Sequence, residues 1–427
     1  MTTTTDLITP RQNLELAELA ELLQAQHARK HDLVVPASDL VFAGGKVRVP
    51  DGYQAMSLDG VTTTDLVLDP TFTFDGQFAS KFDVPVRWIR QLRERSIAEG
   101  QPQPDEDDLV WDPEFTGTTD ELPMTWTALL DHTWARAANP DADHRHPNRG
   151  ANRSVLVRSY VDDTGHGVAR ALLSDRYGII DNFDVLLAAL DALRDSGMAI
   201  EVVKASLTER KMSVHLFSPD VSAMAPELLR NYRNPFERTG HGQEGLRDEN
   251  GNLPVMFAGF RLDNSETGGS QFTLTPELRV KICNNGLVIN KDTVARTHLG
   301  AKLDAGVVRW SDDTRKANIE LVKSTTRDIA MTFMDHDYLV NAIRDLEAKA
   351  GVEVTHPAKT IEVVSKALGF TEAEADTILS CFVKGGQMTS GGVMNAVTAA
   401  AQLIDNPDRA EEVGALGVEA MEVVTAA

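Results

Sequence analysis

Apolar residues along the chain follow two different periods, and these divide it into regions. Leu16, Leu19 and Leu23 recur at helical spacing behind Thr9, Pro10 and Gln12. That pattern predicts an amphipathic helix over 9–30, with Thr9 as N-cap and Gln12 closing a capping box. From 33 to 74 the pattern shortens to apolar runs broken by Gly, Pro and Asp, which reads as short strands at 33–35, 40–42, 46–49 and 66–68. Helices follow over 76–82, 83–100 and 125–138, the last carrying Leu129, Leu130 and Trp134 for burial. Between them, 100–123 is rich in Pro, Asp, Glu and Thr and reads as a solvated linker.

The middle of the chain is strand-rich. Runs at 155–157 and 168–173 flank a turn at 162–165, and runs at 200–205 and 211–217 form a second hairpin. In the latter, Met212, Val214 and Leu216 alternate with Lys211, Ser213 and His215, as a half-buried strand requires. A helix at 182–196 ends at Gly197, and further strands are expected at 255–262, 270–275 and 278–282. From 311 onward the pattern is helical, with a capping box at Thr371 and Glu374 and an alanine-rich helix at 393–404. The expected fold is therefore α+β. A central, mostly antiparallel sheet built of hairpins packs helices on one side, and an all-helical C-terminal region follows. The expected units are 1–99, an acidic linker at 100–124, a strand-rich domain at 125–310 and helices at 311–427.

Composition narrows the function classes. No apolar run approaches the roughly 18 residues of a membrane span, and the threonine-rich start has no basic or apolar leader segment, so a cytoplasmic protein is expected. The two cysteines, Cys283 and Cys381, are too few and too far apart for a disulfide framework. The formal charge is −22, but it is uneven: −12 over 1–150, −1 over 151–330 and −9 over 331–427. A basic face within the near-neutral middle is the natural place to look for a polyanionic partner.

Three blocks in that middle, 169–182, 263–289 and 296–300, carry a resemblance; 391–402 matches a fourth, and 82–92 is a weaker match. Together they resemble the phage/plasmid-like protein family catalogued as domain of unknown function 932. The resemblance implies a mobile-element origin but no activity. It marks Asp175, Asn182, Asn264, Glu266, Cys283, Asn285, Gly286, His298 and Asn395 as family-motif positions.

No phosphate-binding loop, nucleophile elbow or zinc-protease helix is present, and no cofactor is expected. His144 and His146 in a polar loop read as solvated residues rather than metal ligands, so no metal site is assigned there. Arg158, Arg170, Arg176, Lys204, Lys211, Arg279 and Lys281 lie on or beside strands, with Tyr177 interleaved. This leads to an expectation of single-stranded nucleic-acid binding or annealing. The first alternative is a metal-dependent phosphodiesterase using Asp175, Glu266 and His298. The second is a non-enzymatic assembly protein that forms homo-oligomers or docks partners through its acidic helical ends. Residues 78–95 also resemble a helix-turn-helix, although Asp83 occupies the tight-turn position usually held by Gly, and a helical hairpin with snorkelling arginines reads better.

Overall fold

The computed structural model describes residues 4–53, 65–98, 125–138, 154–175, 177–228, 230, 232, 235, 255–280, 286–288, 294–296 and 312–426. In chain order the elements begin β1 (Arg11–Leu14), α1 (Leu16–Ala28), β2 (Lys30–Pro36), β3 (Val41–Ala43), β4 (Lys46–Val49), β5 (Leu66–Pro70), α2 (Phe72–Lys81), α3 (Val86–Ile97) and α4 (Trp126–Ala138). They continue β6 (Ser154–Val161), β7 (His166–Ser174), α5 (Asn182–Ser196), β8 (Glu201–Leu207), β9 (Met212–Met224), β10 (Val255–Asn264), β11 (Phe272–Val280), β12 (Gly286–Val288) and β13 (Val294–Arg296). The C-terminal region is helical: α6 (Asp312–Phe333), α7 (His336–Ala350), α8 (Pro357–Leu368), α9 (Glu372–Gly385), α10 (Ser390–Ala401), α11 (Pro407–Ala415) and α12 (Gly417–Ala426).

Two sheets organise the chain. Sheet A is antiparallel in the order β1-β8-β9-β10-β11-β12, with β13 also on β11. Sheet B has the order β2-β6-β7-β5-β4-β3 and is antiparallel except for the parallel pair β5–β7. The α+β class and the helical C-terminal region expected from the sequence are both present. The proposed units do not separate, because β1 joins sheet A and β2 pairs with β6 of the strand-rich region.

Sheet A has opposite chemistry on its two faces. Ala205, Leu207, Met212, Val214, Leu216, Phe260, Leu262 and Leu274 pack against Leu19 and Leu23 of α1, Val185 and Leu186 of α5, and Val322 and Phe333 of α6. The alternate positions carry Ser206, Ser213, His215, Arg261, Asp263, Thr275 and Glu277. Cross-strand pairs Ser206 with Ser213, Ser213 with Asp263, His215 with Arg261, and Arg261 with Thr275 keep this polar set on one face. A polar face of this kind normally meets water. Here the helical end of the chain covers it, so helices lie on both sides of the sheet rather than one.

Sheet B buries Val35, Val47, Leu68, Val157 and Leu172 against Phe74 and Phe78 of α2, Ile89 and Leu92 of α3, and Trp134 of α4. The α2–α3 turn places Asp83 at φ 56°. Of the four arginines on α3, Arg93 turns inward onto Asp75 at 2.9 Å and lies 4.5 Å from the Trp134 ring. Arg95 stacks 4.2 Å from Trp126, while Arg87 and Arg90 stay exposed.

The first helix starts later than its sequence predicts. Residues 11–14 pair with β8, and the capping box is Glu15 with Glu18, not Thr9 with Gln12. The open edge of sheet A takes those residues as a strand, and Asn13 at φ 54° forms the irregularity where the register shifts. Residues 272–280 are one strand, not two.

Candidate anion-binding cleft

A cleft of about 380 Å³ opens between the polar face of sheet A and the pair α10–α11. Each wall has a local cause. Lys204 and Ser206 come from β8, His215 and Phe217 from β9, Arg261 from β10, and Glu277 and Arg279 from β11. Glu411, Gly414 and Ala415 come from α11, and Gln12 and Asn13 of β1 close one end. Gly259 lies opposite Phe217, and a Cβ there would collide with the Leu216 carbonyl and the Phe217 ring. The missing side chain lets the ring lie against the sheet.

His215 is held between two carboxylates: Nδ1 is 2.7 Å from Glu277 Oε2, and Nε2 is 3.0 Å from Glu411 Oε1. Arg261 donates from Nε to Asp263 at 2.8 Å and from Nη1 to Glu411 at 3.3 Å. Ser213 and Thr273 also donate to Asp263. Lys204 Nζ lies 3.6 Å from Glu411, and Lys211 Nζ 3.9 Å from Asp263.

The protonation states follow from these contacts. Burial alone would pull the His215 pKa down, but Glu277 and Glu411 reverse this and raise it, so the ring is an imidazolium donating to both. Burial pushes the Glu277 and Glu411 carboxyls up, yet His215, with Lys204 and Arg261, holds both below the usual range. Asp263 is lowered against burial by Arg261 and Lys211. Arg279, 5.5 Å from the Phe217 ring, is drawn below its ordinary value by burial, opposed by Glu277 and Glu201. Lys204, His215, Arg261 and Arg279 thus line the wall together with Glu277 and Glu411, while Asp263 pairs with Arg261 at 2.8 Å and lies 3.9 Å from Lys211. In a chain of formal charge −22 this is a local concentration of basic side chains.

No family model, curated protein or solved structure matches this chain. The resemblance to domain of unknown function 932 therefore has no second line of support, and function must be argued from the geometry.

That geometry redistributes the residues expected to bind nucleic acid. Arg158 is fully buried, bonded to Asp32 at 3.0 and 3.1 Å, to Asp181 at 2.7 Å and to the Glu266 carbonyl at 2.8 Å. Arg170 pairs with Glu266 at 2.8 Å and stacks 4.0 Å over Tyr160. Neither guanidinium reaches the surface, so neither is placed to hold a phosphate. Lys204 and Lys211 face Glu411 and Asp263 in and behind the cleft, and Arg279 lines it. Tyr177 is partly buried, with its hydroxyl 3.4 Å from the Ser265 carbonyl. Arg176 and Lys281 lie outside the described residues.

Three family-motif positions meet Arg158 in a buried lattice between the sheets. The Asn182 N–H donates to Glu266 at 2.7 Å, and Asn264 Nδ2 donates to Asn182 Oδ1 at 2.8 Å. Lys30 adds a pair to Asp181, whose carboxyl Arg158 and Lys30 hold far below its ordinary value against burial. This lattice joins β2, β6, β7 and α5 to the end of β10, and its charges balance. Asp175 is exposed and accepts from Ser174. Asn395 is buried in α10 and donates to Gln387 at 3.0 Å. Gly286 opens β12. Cys283, Asn285, His298, His144 and His146 lie outside the described residues. Glu266 is committed to Arg170 and Asn182, and among the described residues no group of three His, Cys, Asp or Glu side chains is arranged to hold a metal ion. Among the same residues no helix is long and apolar enough to cross a membrane.

Sequence reasoning missed His215, Arg261, Glu277 and Glu411 as a group. The available signal was the strand alternation itself, which puts His215, Arg261 and Glu277 on the polar face of three neighbouring strands.

Proposed function

We propose that this protein binds a small organic anion in the cleft between sheet A and α10–α11. The supporting observation is the convergence of four basic side chains, two buried and two partly exposed, on the wall beside the Phe217 ring in a strongly acidic chain. Concave sites with a few convergent polar groups and perturbed titrations are where ligands bind. A charged wall sheltered from water is an effective counterpart for a carboxylate or phosphate.

Binding fits these residues better than catalysis does. Both nitrogens of His215 donate to carboxylates, which leaves no free base to activate a nucleophile. The ion pairs at Arg158, Arg170, Lys204 and Lys211 also weigh against an extended nucleic-acid groove.

Thermal-shift titration with a panel of small carboxylates and phosphates tests the proposal, with single-stranded DNA as a comparison. A ligand at about 100 times its Kd stabilises by about 2.7 kcal/mol. The effect should be lost in Phe217→Ala and Arg279→Ala. If no small anion shifts the wild type, or if the shift survives both substitutions, the proposal fails. Salt-sensitive DNA binding with no small-anion binding would replace it.

A further inference from the structure

Three cations from three strands of sheet A converge on one carboxylate that the sheet does not own. His215 Nε2 and Arg261 Nη1 donate to Glu411 at 3.0 and 3.3 Å, and Lys204 Nζ is 3.6 Å away. Two of these cations already have sheet partners, His215 in Glu277 and Arg261 in Asp263. Glu411 is therefore a guest, delivered by α11.

That helix is lightly attached. Of its nine residues, only Val413 is buried. It packs against α10 and β12, and its polar ties are Arg409 to Glu374 at 2.7 and 2.8 Å and Thr208 to Asp408 at 3.0 Å. Its inner side presents Pro407, Ala410, Gly414 and Ala415, small groups that leave the cleft empty beside the glutamate. Elements with little buried apolar contact open at low free-energy cost.

We infer that Glu411 occupies the subsite for the ligand's own carboxylate, so that the cleft takes a small carboxylic acid and the α11 glutamate yields its place when that acid enters. This rests on the cleft being a ligand site. The acid's carboxylate accepts from His215 and Arg261 as Glu411 does now, and its remainder lies along Phe217. Glu411 is then an intramolecular competitor, and wild-type affinity is reduced by the fraction of time it fills the subsite.

The test uses the full chain as wild type, Glu411→Ala and Glu411→Gln. The probes are sodium propionate, 3-phenylpropionate and methylphosphonate, at matched ionic strength against chloride, and binding is read by calorimetry and melting temperature. Removing the competitor should tighten 3-phenylpropionate by about tenfold or more, since a tethered group competes at an effective concentration in the millimolar range. Propionate should raise the lowered melting temperature of Glu411→Ala saturably, and by more than it raises that of the wild type. Glu411→Gln retains the side-chain shape and guards against a variant that merely misfolds.

Equal affinity in wild type and both variants overturns the inference. If that equal binding is still lost in Phe217→Ala, the cleft remains a ligand site and only the role of Glu411 falls. If no probe binds any of the three, both readings fall. Stronger rescue by methylphosphonate than by propionate overturns the carboxylate assignment.

Discussion

Arg158→Met removes the centre of the lattice between the two sheets, and its cost can be worked from the structure. The guanidinium makes two bonds to Asp32, one to Asp181 and one to the Glu266 carbonyl, with no exposed surface. Methionine fills much of the same volume, so little of the loss is cavity. What remains is Asp32, 2 % exposed and without its bidentate partner, and Asp181, left with Lys30 alone. Breaking a buried pair from one side costs about 3–5 kcal/mol. With an m-value near 3 kcal/mol/M, that is a fall of about 1–2 M in the urea midpoint. The matched control is Arg194→Met, whose side chain is 74 % exposed and pairs with Asp191 on the surface. It should cost about 0.5 kcal/mol or less. Urea unfolding by circular dichroism, with m unchanged between variants, makes the comparison. Equal midpoints for the two variants would refute the idea that this lattice holds the sheets together.

Further outcomes are expected. Gly259→Ala should destabilise by about 1–3 kcal/mol, because its Cβ enters the space of the Phe217 ring, and it should weaken small-anion binding in the same calorimetry. Asp83→Gly should raise the melting temperature, since φ 56° costs an L-residue about 1–2 kcal/mol; an unchanged or lower temperature contradicts this. The charged network of the cleft should give stability a pH window. Glu277 and Glu411 have depressed values, so their contribution is present above the ordinary carboxylate value of 4.5 and lost as pH falls through their folded pKa values. His215 is raised, so its contribution is complete below 6.5 and lost as pH rises through its folded value. Chemical denaturation across pH should therefore show a plateau between about 5 and 6, and His215→Gln should remove its alkaline limb.

What was legible in the sequence was local. The alternation at 211–217, the stop at Gly197 and the capping box at Thr371 all depend on near neighbours, and each is present in the fold. The first helix was misread because Thr9, Pro10 and Gln12 satisfy a local capping rule, whereas the vacant edge of β8 captures residues 11–14 as a strand. The cations were misread for a related reason. A basic residue on a strand looks the same whether it faces solvent or a carboxylate, and the carboxylates here come from far away. Asp32 meets Arg158 across 126 positions, and Glu411 meets His215 across 196. The family-motif blocks did mark Asn182, Asn264 and Glu266, which converge, but as scaffold rather than as a site.

Gln12 donates to the Asp405 carbonyl across 393 positions, at the rim of the cleft. Two segments so far apart in sequence meet late in assembly. Among the described hydrogen bonds this one spans the longest stretch of sequence, and its closure cost is small only once both sheets hold the two segments near each other. The expected outcome is that the rim forms after the sheets during folding and opens before them. A reporter dye at position 12 or 405 would follow the closing of the cleft separately from the folding of the sheets beneath it.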